Sequence, residues 1–465
     1  MKVAIARFIK LRDNYFFDLF DATTAGTLKA AGHEAIVVER MVADGFDEAE
    51  LIEGLVSCLE EFRPALVFLP YLPTELLARR IREQTGAWVA AFGSMLMLNS
   101  PYVDYVLQEP DPLACLELVQ ALGGKRKLDT VAGLSRQEGK ELVRTAVPLH
   151  TIDEIFTEGT IDYSAFFRMG PGAPPEIRKH IAGDWGCAYR NSSFDPESGV
   201  EGLLPEYAPR GGCTFCTRPC SAPLEWDRKR ELLGMQLDTV LAAFPSVSKL
   251  MVVDEMALSY ADDLALLIQS RPTRGIDLLI SGRLPHVQRY EDKLVAALET
   301  LKGTNRIRLY QFGIENLSDS ALRRFNKGLT FHQIRSACQR IFELGAKHDN
   351  LLVEESFGFI MFDPWTTVEE LRENVARFSE VGLPHLRSSA PFTAIRLFPE
   401  AALYWRALKE GLLTGQMDES EFGYSVNSGW QFKHDDTEEV YDYLQANKGQ
   451  RDGWHLLQSA LTPDS

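Results

Sequence analysis

Long apolar runs are missing from this 465-residue sequence; none reaches the roughly eighteen residues a transmembrane helix requires, so no membrane span is expected. Positive charge is also short. Lysine and arginine number 49 against 66 acidic residues, a formal charge of −17. Such a surface repels phosphates, no basic cluster exceeds a few residues, and broad nucleic-acid affinity is excluded. No signal-peptide apolar region or cleavage site is read at the start, where Met1-Lys2-Val3-Ala4-Ile5-Ala6-Arg7 has the look of a buried strand. Repeats and low-complexity segments are lacking. Cysteine is scarce and odd in number, seven in all, with four between positions 187 and 220. That usage excludes a disulfide framework and suits a metal site in a reducing compartment, the cytoplasm.

What is present is an ordinary globular balance, 45% hydrophobic and 25% charged, long enough for two or three domains. Over residues 1–145 short apolar runs (Lys2–Phe8, Glu34–Val38, Ala65–Pro70, Trp88–Phe92, Tyr105–Gln108, Thr130–Ala132) alternate with helical patterns near 15–31, 47–62, 74–85 and 111–122. The fold class this implies is α/β, with a doubly wound, Rossmann-like parallel sheet. Residues 146–178, rich in proline and glycine around Met169-Gly170-Pro171-Gly172, read as a linker. Over 179–400 six strand–helix units are expected, with strands near 179–186, 248–254, 276–281, 306–314, 352–362 and 386–395. That is the pattern of a partial (β/α)6 barrel, whose working residues sit at strand carboxyl ends. Cys187, Asp254, Glu255, Ser281, Arg283, Glu315 and Asp363 fall there. Residues 401–465 read as a small helical extension.

The densest chemistry lies in Gly186-Cys187-Ala188-Tyr189-Arg190 and Gly212-Cys213-Thr214-Phe215-Cys216, with twenty-five residues between Cys187 and Cys213. A C-x2-C with a third cysteine also suits zinc. Cys220 competes with Cys187 for the third place. Cys58, Cys115 and Cys338 sit in helical patterns as apolar fillers.

These two half-motifs resemble the cluster loop of the radical S-adenosylmethionine (SAM) superfamily, and the layout resembles its branch with an amino-terminal cobalamin-binding domain. The resemblance spans roughly residues 1–400. It also rests on Val252-Val253-Asp254-Glu255, Ile280-Ser281-Gly282-Arg283, Phe312-Gly313-Ile314-Glu315, Asn326-Lys327-Gly328, Gly358-Phe359-Ile360-Met361-Phe362-Asp363-Pro364 and Arg396-Leu397-Phe398-Pro399, in family order. It implies a [4Fe–4S] cluster on Cys187, Cys213 and Cys216 with one iron open to SAM. Phe215, Asp254, Glu255, Ser281, Arg283, Glu315, Phe359 and Asp363 would line the SAM site, while Thr74, Gly93 and Ser94 would admit the cobalamin tail. The Asp-x-His-x-x-Gly cobalamin motif is absent, and Phe92-Gly93-Ser94 replaces the usual Gly-Gly.

The implied activity is cobalamin-dependent radical C-methylation of an unactivated carbon, using a 5′-deoxyadenosyl radical and methylcobalamin. The implied partners are an electron donor of flavodoxin or ferredoxin type and a small-molecule or peptide substrate, with neither nucleic acid nor membrane. The alternative is a non-methylating cyclase, epimerase or rearrangement catalyst with a vestigial first domain. Plainer roles stay open for single residues: helix capping for Asp254 and Glu255, a surface ion pair for Arg283, a solvated charge for Lys327, packing for Trp365. The loop 188–212, with Tyr189 and Arg190, is expected to shape the substrate pocket.

Overall fold

Small and β-branched residues run through the first strand, Lys2–Lys10 (β1), and its stretch from Val3 to Arg7 is buried. The period-2 alternation sends Ala4 and Ala6 into one core and Val3 and Ile5 into another, so the strand is covered on both faces. The computed structural model describes residues 1–10, 18–42, 48–70, 75–139, 141–169, 178–184, 186–205, 208–218, 224–353, 357–382, 390–418, 427–449 and 452–462. They form two compact units, the first comprising Met1–Ile181, Glu231–Val247 and Met417–Asn427 and the second the remainder.

In the first unit β1 is joined by β2 (Glu34–Val42), β3 (Leu66–Leu69), β4 (Trp88–Phe92), β5 (Tyr105–Leu107), β6 (Leu134–Glu138), β7 (Glu141–Arg144) and β8 (Phe166–Met169). The sheet order is β7-β6-β5-β4-β3-β1-β2-β8. The run β2-β1-β3-β4-β5 is parallel and is the flavodoxin-like doubly wound order, whose switch point lies between β1 and β3. Helices α1 (Asp18–Ala30) and α4 (Pro112–Leu122) feed one core, α2 (Glu48–Phe62) and α3 (Glu75–Thr85) the other. The strand expected at 130–132 is a turn instead. Gly133 takes a left-handed φ of 57° there, and the chain then forms the antiparallel pair β6–β7 around Gly139, φ 63°. The segment 146–178, read as a linker, contributes helix α5 (Ile152–Glu158), opened by a Thr151–Glu154 capping box, and edge strand β8.

Buried charge in this unit is paired. Arg7 binds Asp21 and Glu39, and Asp18 takes Lys179 at 2.5 Å and His180 at 3.0 Å. At the start of α4 one oxygen of Asp111 caps the helix through the Leu113 and Ala114 N–H groups, while the other meets His150 Nδ1 at 2.8 Å. Burial alone would lower the His150 pKa, but hydrogen bonds and charge from Asp111 and Glu117 outweigh it and push it up to about 10.

The chain leaves the first unit at the end of β9 (Arg178–Ala182), and the second unit holds β10 (Lys249–Val253), β11 (Asp277–Ile280), β12 (Arg306–Leu309), β13 (Phe312–Glu315), β14 (Leu351–Val353) and β15 (Phe357–Phe359). Strands β10, β11, β12 and β14 are parallel neighbours in that order. Helix α6 (Trp226–Ala243) passes into the first unit at Glu231, while α7 (Ala261–Gln269), α9 (Glu291–Leu301), α11 (Phe331–Lys347), α12 (Val368–Val381) and α13 (Ala402–Lys409) alternate with the strands close to the expected spans, joined by two short helices the sequence reading lacked, α8 (Leu284–Arg289) and α10 (Asp319–Arg324). The fourth strand breaks at Gln311, φ 51°, and resumes as β13, which pairs in parallel with β15. The sixth strand is represented by one parallel bridge, Phe362 to Ala394; residues 383–389 lie outside the described set. The extension holds a strand pair, β16 (Leu413–Asp418) with β17 (Asn427–Trp430), and helices α14 (Asp435–Ala446) and α15 (Gly453–Leu461). No helix among the described residues is long and apolar enough to cross a membrane.

Because the folded pKa of His150 lies above its ordinary 6.5, its stabilising charge is fully present below pH 6.5 and is lost as pH rises through about 10. His150→Gln should therefore lower the urea midpoint most near pH 6, with the gap to wild type closing toward pH 10. A gap constant with pH would show that the ring acts only by filling space.

Candidate active site

Two glycines and one arginine bring the cysteine half-motifs together. A 3₁₀ turn (Ala188–Asn191) follows Cys187, and beyond it Ser193 bridges Gly211 and the Gly212 N–H donates to the Ser192 carbonyl at 2.8 Å. A Cβ at Gly211 would strike the Ser192 carbonyl, and one at Gly212 (φ 80°) would meet the Arg190 side chain at 2.7 Å. Arg190 is buried. Its Nε donates to the Arg218 carbonyl (2.6 Å) and its Nη1 to the carbonyls of Gly211 (3.0 Å) and Cys213 (3.2 Å). Its Nη2 is buried and has no partner among the described residues. The C-x2-C itself closes as a turn, Cys216 N–H to the Cys213 carbonyl at 3.3 Å.

The turn is also anchored from outside. Thr214 donates through its N–H to the Phe325 carbonyl and through its hydroxyl to the Arg324 carbonyl. Asn326 donates to the carbonyls of Gly212 (2.7 Å) and Ser193 (3.1 Å). Phe215 packs edge-on against Phe325 at 5.4 Å.

Around the thiols stand the polar residues of three strand ends. Lys327 and Glu315 form a buried ion pair, 2.8 Å, with side chains only 6% and 12% exposed. Glu315 holds a left-handed φ of 66°, and a Cβ at Gly313 would overlap its carboxylate. The Lys327 carbonyl accepts from Arg283, whose guanidinium lies 3.4 Å over the Tyr189 ring. Gly328, φ 66°, leaves room for the Tyr189 hydroxyl. Glu255 pairs loosely with Arg218 at 3.5 Å, its carbonyl faces His286 Nδ1, and Ser281 is buried beside this group in sequence.

The charges acting on the thiols come from the same residues. Burial raises the Cys187 thiol, the Tyr189 N–H lowers it, and Glu255, Arg283 and Cys216 all act on it. Burial likewise lifts Cys213 to about 11, against the opposing pull of Lys327 and Arg283. Cys187, Cys213, Cys216, Glu255, Arg283 and Glu315 thus share one neighbourhood. Among the described residues no three His, Cys, Asp or Glu side chains group tightly enough for a single metal ion. Cys220 lies outside the described residues.

Two expected SAM contacts are committed elsewhere. Asp254 accepts from Lys229 (2.7 Å), Tyr260 (2.6 Å) and the Met256 N–H (2.7 Å), so it braces the second strand end. Asp363 takes Arg324 through Nε (3.0 Å) and Nη2 (2.8 Å), with Glu370 on the same guanidinium, and accepts the Trp365 N–H. Lys229, Arg324 and Glu370 were not anticipated, since nothing in their local sequence marks their distant partners. Phe359 packs edge-on against Trp454 of α15. Trp365 is core, as its plainer reading had it, and Cys115 and Cys338 are buried. In the first unit Gly93 has φ 114° and Ser94 is buried as the cap of a 3₁₀ turn (Met95–Asn99); Thr74 lies outside the described residues.

No family model matches the chain, and no curated protein does. Solved structures do. A structure described as the cobalamin-dependent SAM radical enzyme OxsB, with aqua-cobalamin and SAM bound, aligns over 96% of this chain at TM-score 0.61 and 16% identity. The radical SAM methyltransferase TsrM from Kitasatospora setae, with tryptophan and aza-SAM bound, aligns over 99% of this chain and 89% of its own at TM-score 0.61 and 17% identity. This chain has the fold of the cobalamin-dependent radical SAM enzymes. It spans 66% of the OxsB chain. A second TsrM structure, with cobalamin and a [4Fe–4S] cluster bound, matches at TM-score 0.55 and 18% identity.

Within this radical SAM fold the Glu315–Lys327 pair gives a direct test of local stability. Lys327→Met should cost about 3–5 kcal/mol, because it strands a buried carboxylate, whereas adding Glu315→Gln should recover much of that loss. Chemical unfolding of the two variants checks this; equal stability of single and double variants would contradict it.

Proposed function

We propose that the protein is a cobalamin-dependent radical SAM enzyme, a C-methyltransferase acting on an unactivated carbon. The single observation that carries the reading is the Arg190-fastened loop, which ties the turn after Cys187 to the backbone around Cys213 and Cys216 in a chain whose fold aligns with those enzymes.

The donor set fits the cluster. Three half-buried thiols are the soft ligands it takes, leaving one iron open, and a cluster spreads its thiolates over several irons where a zinc ion would draw them onto one centre. When bound, the cluster and SAM supply an organic radical and cobalamin a methyl group. The chain's own residues bind and orient. Cys187, Cys213 and Cys216 ligate. Arg283, Glu315, Lys327 and Glu255 offer charge of both signs to the amino and carboxylate groups of SAM. Ser281, Phe215 and Phe359 line the site and keep water out, and Asp254 and Asp363 hold the strand ends in place. Gly93, Ser94 and Thr74 would admit the cobalamin tail. The substrate is a small molecule or peptide in the cytoplasm, with a flavodoxin- or ferredoxin-type protein supplying electrons.

One observation favours the second reading, a non-methylating enzyme whose first unit has lost its ligand. The Ser94 hydroxyl accepts the Leu96 N–H at 3.3 Å and is buried.

Anaerobic reconstitution with iron, sulfide and hydroxocobalamin, followed by metal counting, decides between them. About four irons and one cobalt per chain is the expected result; four irons without cobalt would select the non-methylating enzyme, and zinc in place of iron would end the proposal. Replacing Cys187, Cys213 or Cys216 singly by alanine should abolish iron retention and reductive SAM cleavage, while Cys220→Ala should retain both.

A further inference from the structure

We infer that Arg190 is a positioning residue that holds the cluster loop closed across its long insertion, an inference resting on the cluster reading above. The two half-motifs are twenty-five residues apart in sequence, so nothing local forces Cys213 back to Cys187. Loop closure over that length costs entropy, and fixed contacts must offset it. Arg190 sits three residues after Cys187, and its own N–H donates to the Cys187 carbonyl at 3.0 Å, which locks its backbone to the first ligand. Its guanidinium then takes carbonyls on both sides of the C-x2-C: Gly211 before it, Cys213 within it and Arg218 after it. One rigid, planar fork therefore spans both halves of the ligand set. Lysine, whose three donors all sit on one nitrogen, cannot reproduce this planar fork.

The fork is also incomplete. Nη2 is buried and lacks an acceptor among the described residues, and buried N–H groups in folded proteins rarely stay unpaired. The occupant of this loop would supply that acceptor. In a cluster site the acceptor chemistry is sulfur, and hydrogen bonds to cluster sulfur raise the reduction potential.

The experiment compares wild type, Arg190→Lys, Arg190→Ala and, as a control within the same insertion, Arg210→Ala; Arg210 is exposed and, among the described residues, donates to the Pro205 carbonyl alone. Each is reconstituted with iron and sulfide. Iron retention under a chelator, the electron paramagnetic resonance spectrum of the reduced cluster and its midpoint potential are recorded, with far-ultraviolet circular dichroism to verify folding. Arg190→Ala should retain iron at least about ten-fold more weakly, the loss typical of outer partners of metal ligands. Arg190→Lys should load iron but show a lowered potential and an altered spectrum, and it decides the matter if the alanine variant does not fold. Arg210→Ala should match wild type. Full retention, spectrum and potential in both Arg190 variants would overturn the inference while leaving the cluster reading intact. Failure of wild type to take up iron would instead remove the reading beneath it.

Discussion

The buried ion pair between Lys327 and Glu315 is the constraint on which the second unit turns. Its position dictates glycine at 313, where a side chain would overlap the carboxylate, and close packing at Gly358, where a Cβ would stand 3.3 Å from the other oxygen. The backbone of Glu315 is left-handed to make the pair, and the Ile360 N–H closes on the Glu315 carbonyl at 2.6 Å. From Lys327 the connection runs through its carbonyl to Arg283, across the stacked Tyr189 ring, and so to the turn that bears Cys187. Three strand ends and a loop are therefore coupled by one continuous set of charges. Such a network is worth keeping only when every member is satisfied.

This arrangement explains why acidic and basic residues crowd together without cancelling the use of the site. Asp254 and Asp363, each saturated by partners on its own side, act as fixed posts. Glu255 and the Tyr189–Arg283 face remain only partly engaged, with Arg218 at 3.5 Å from Glu255. The division separates residues that hold the strand ends from those that the proposed function assigns to a ligand. Both kinds carry the same side-chain chemistry, so only their surroundings tell them apart.

Much of this was legible in the sequence because it depends on local period. Strand and helix spans in both units follow the alternation of apolar residues, as in β1, where adjacent residues feed opposite cores. The motifs around Glu315 and Arg283 were readable through their resemblance to the strand-end motifs of a known family, and at Gly313 the structure supplies a reason for the glycine, since a Cβ there would overlap the Glu315 carboxylate. Other features depend on pairs far apart in sequence. Nothing near Lys229 announces Asp254, and nothing near Arg324 announces Asp363 and Glu370. The hairpin β6–β7 was missed because one glycine at 133 outweighed an extended-looking run, and β8 because the proline-rich segment beside it reads as linker. Lys327 read equally as a solvated charge or a ligand and is buried against Glu315, since sequence alone does not show which cation a carboxylate will claim.

The first unit is assembled from three separate stretches, with residues 231–247 and 417–427 returning to it after the second unit has begun. Helix α6 carries that passage in mid-element, between Arg230 and Glu231. A ribosome delivers the chain in order, and domains commonly fold as their last residues emerge. Here the first unit cannot be finished until the whole cysteine loop has also been synthesised. No single cut of the chain therefore separates one unit cleanly from the other.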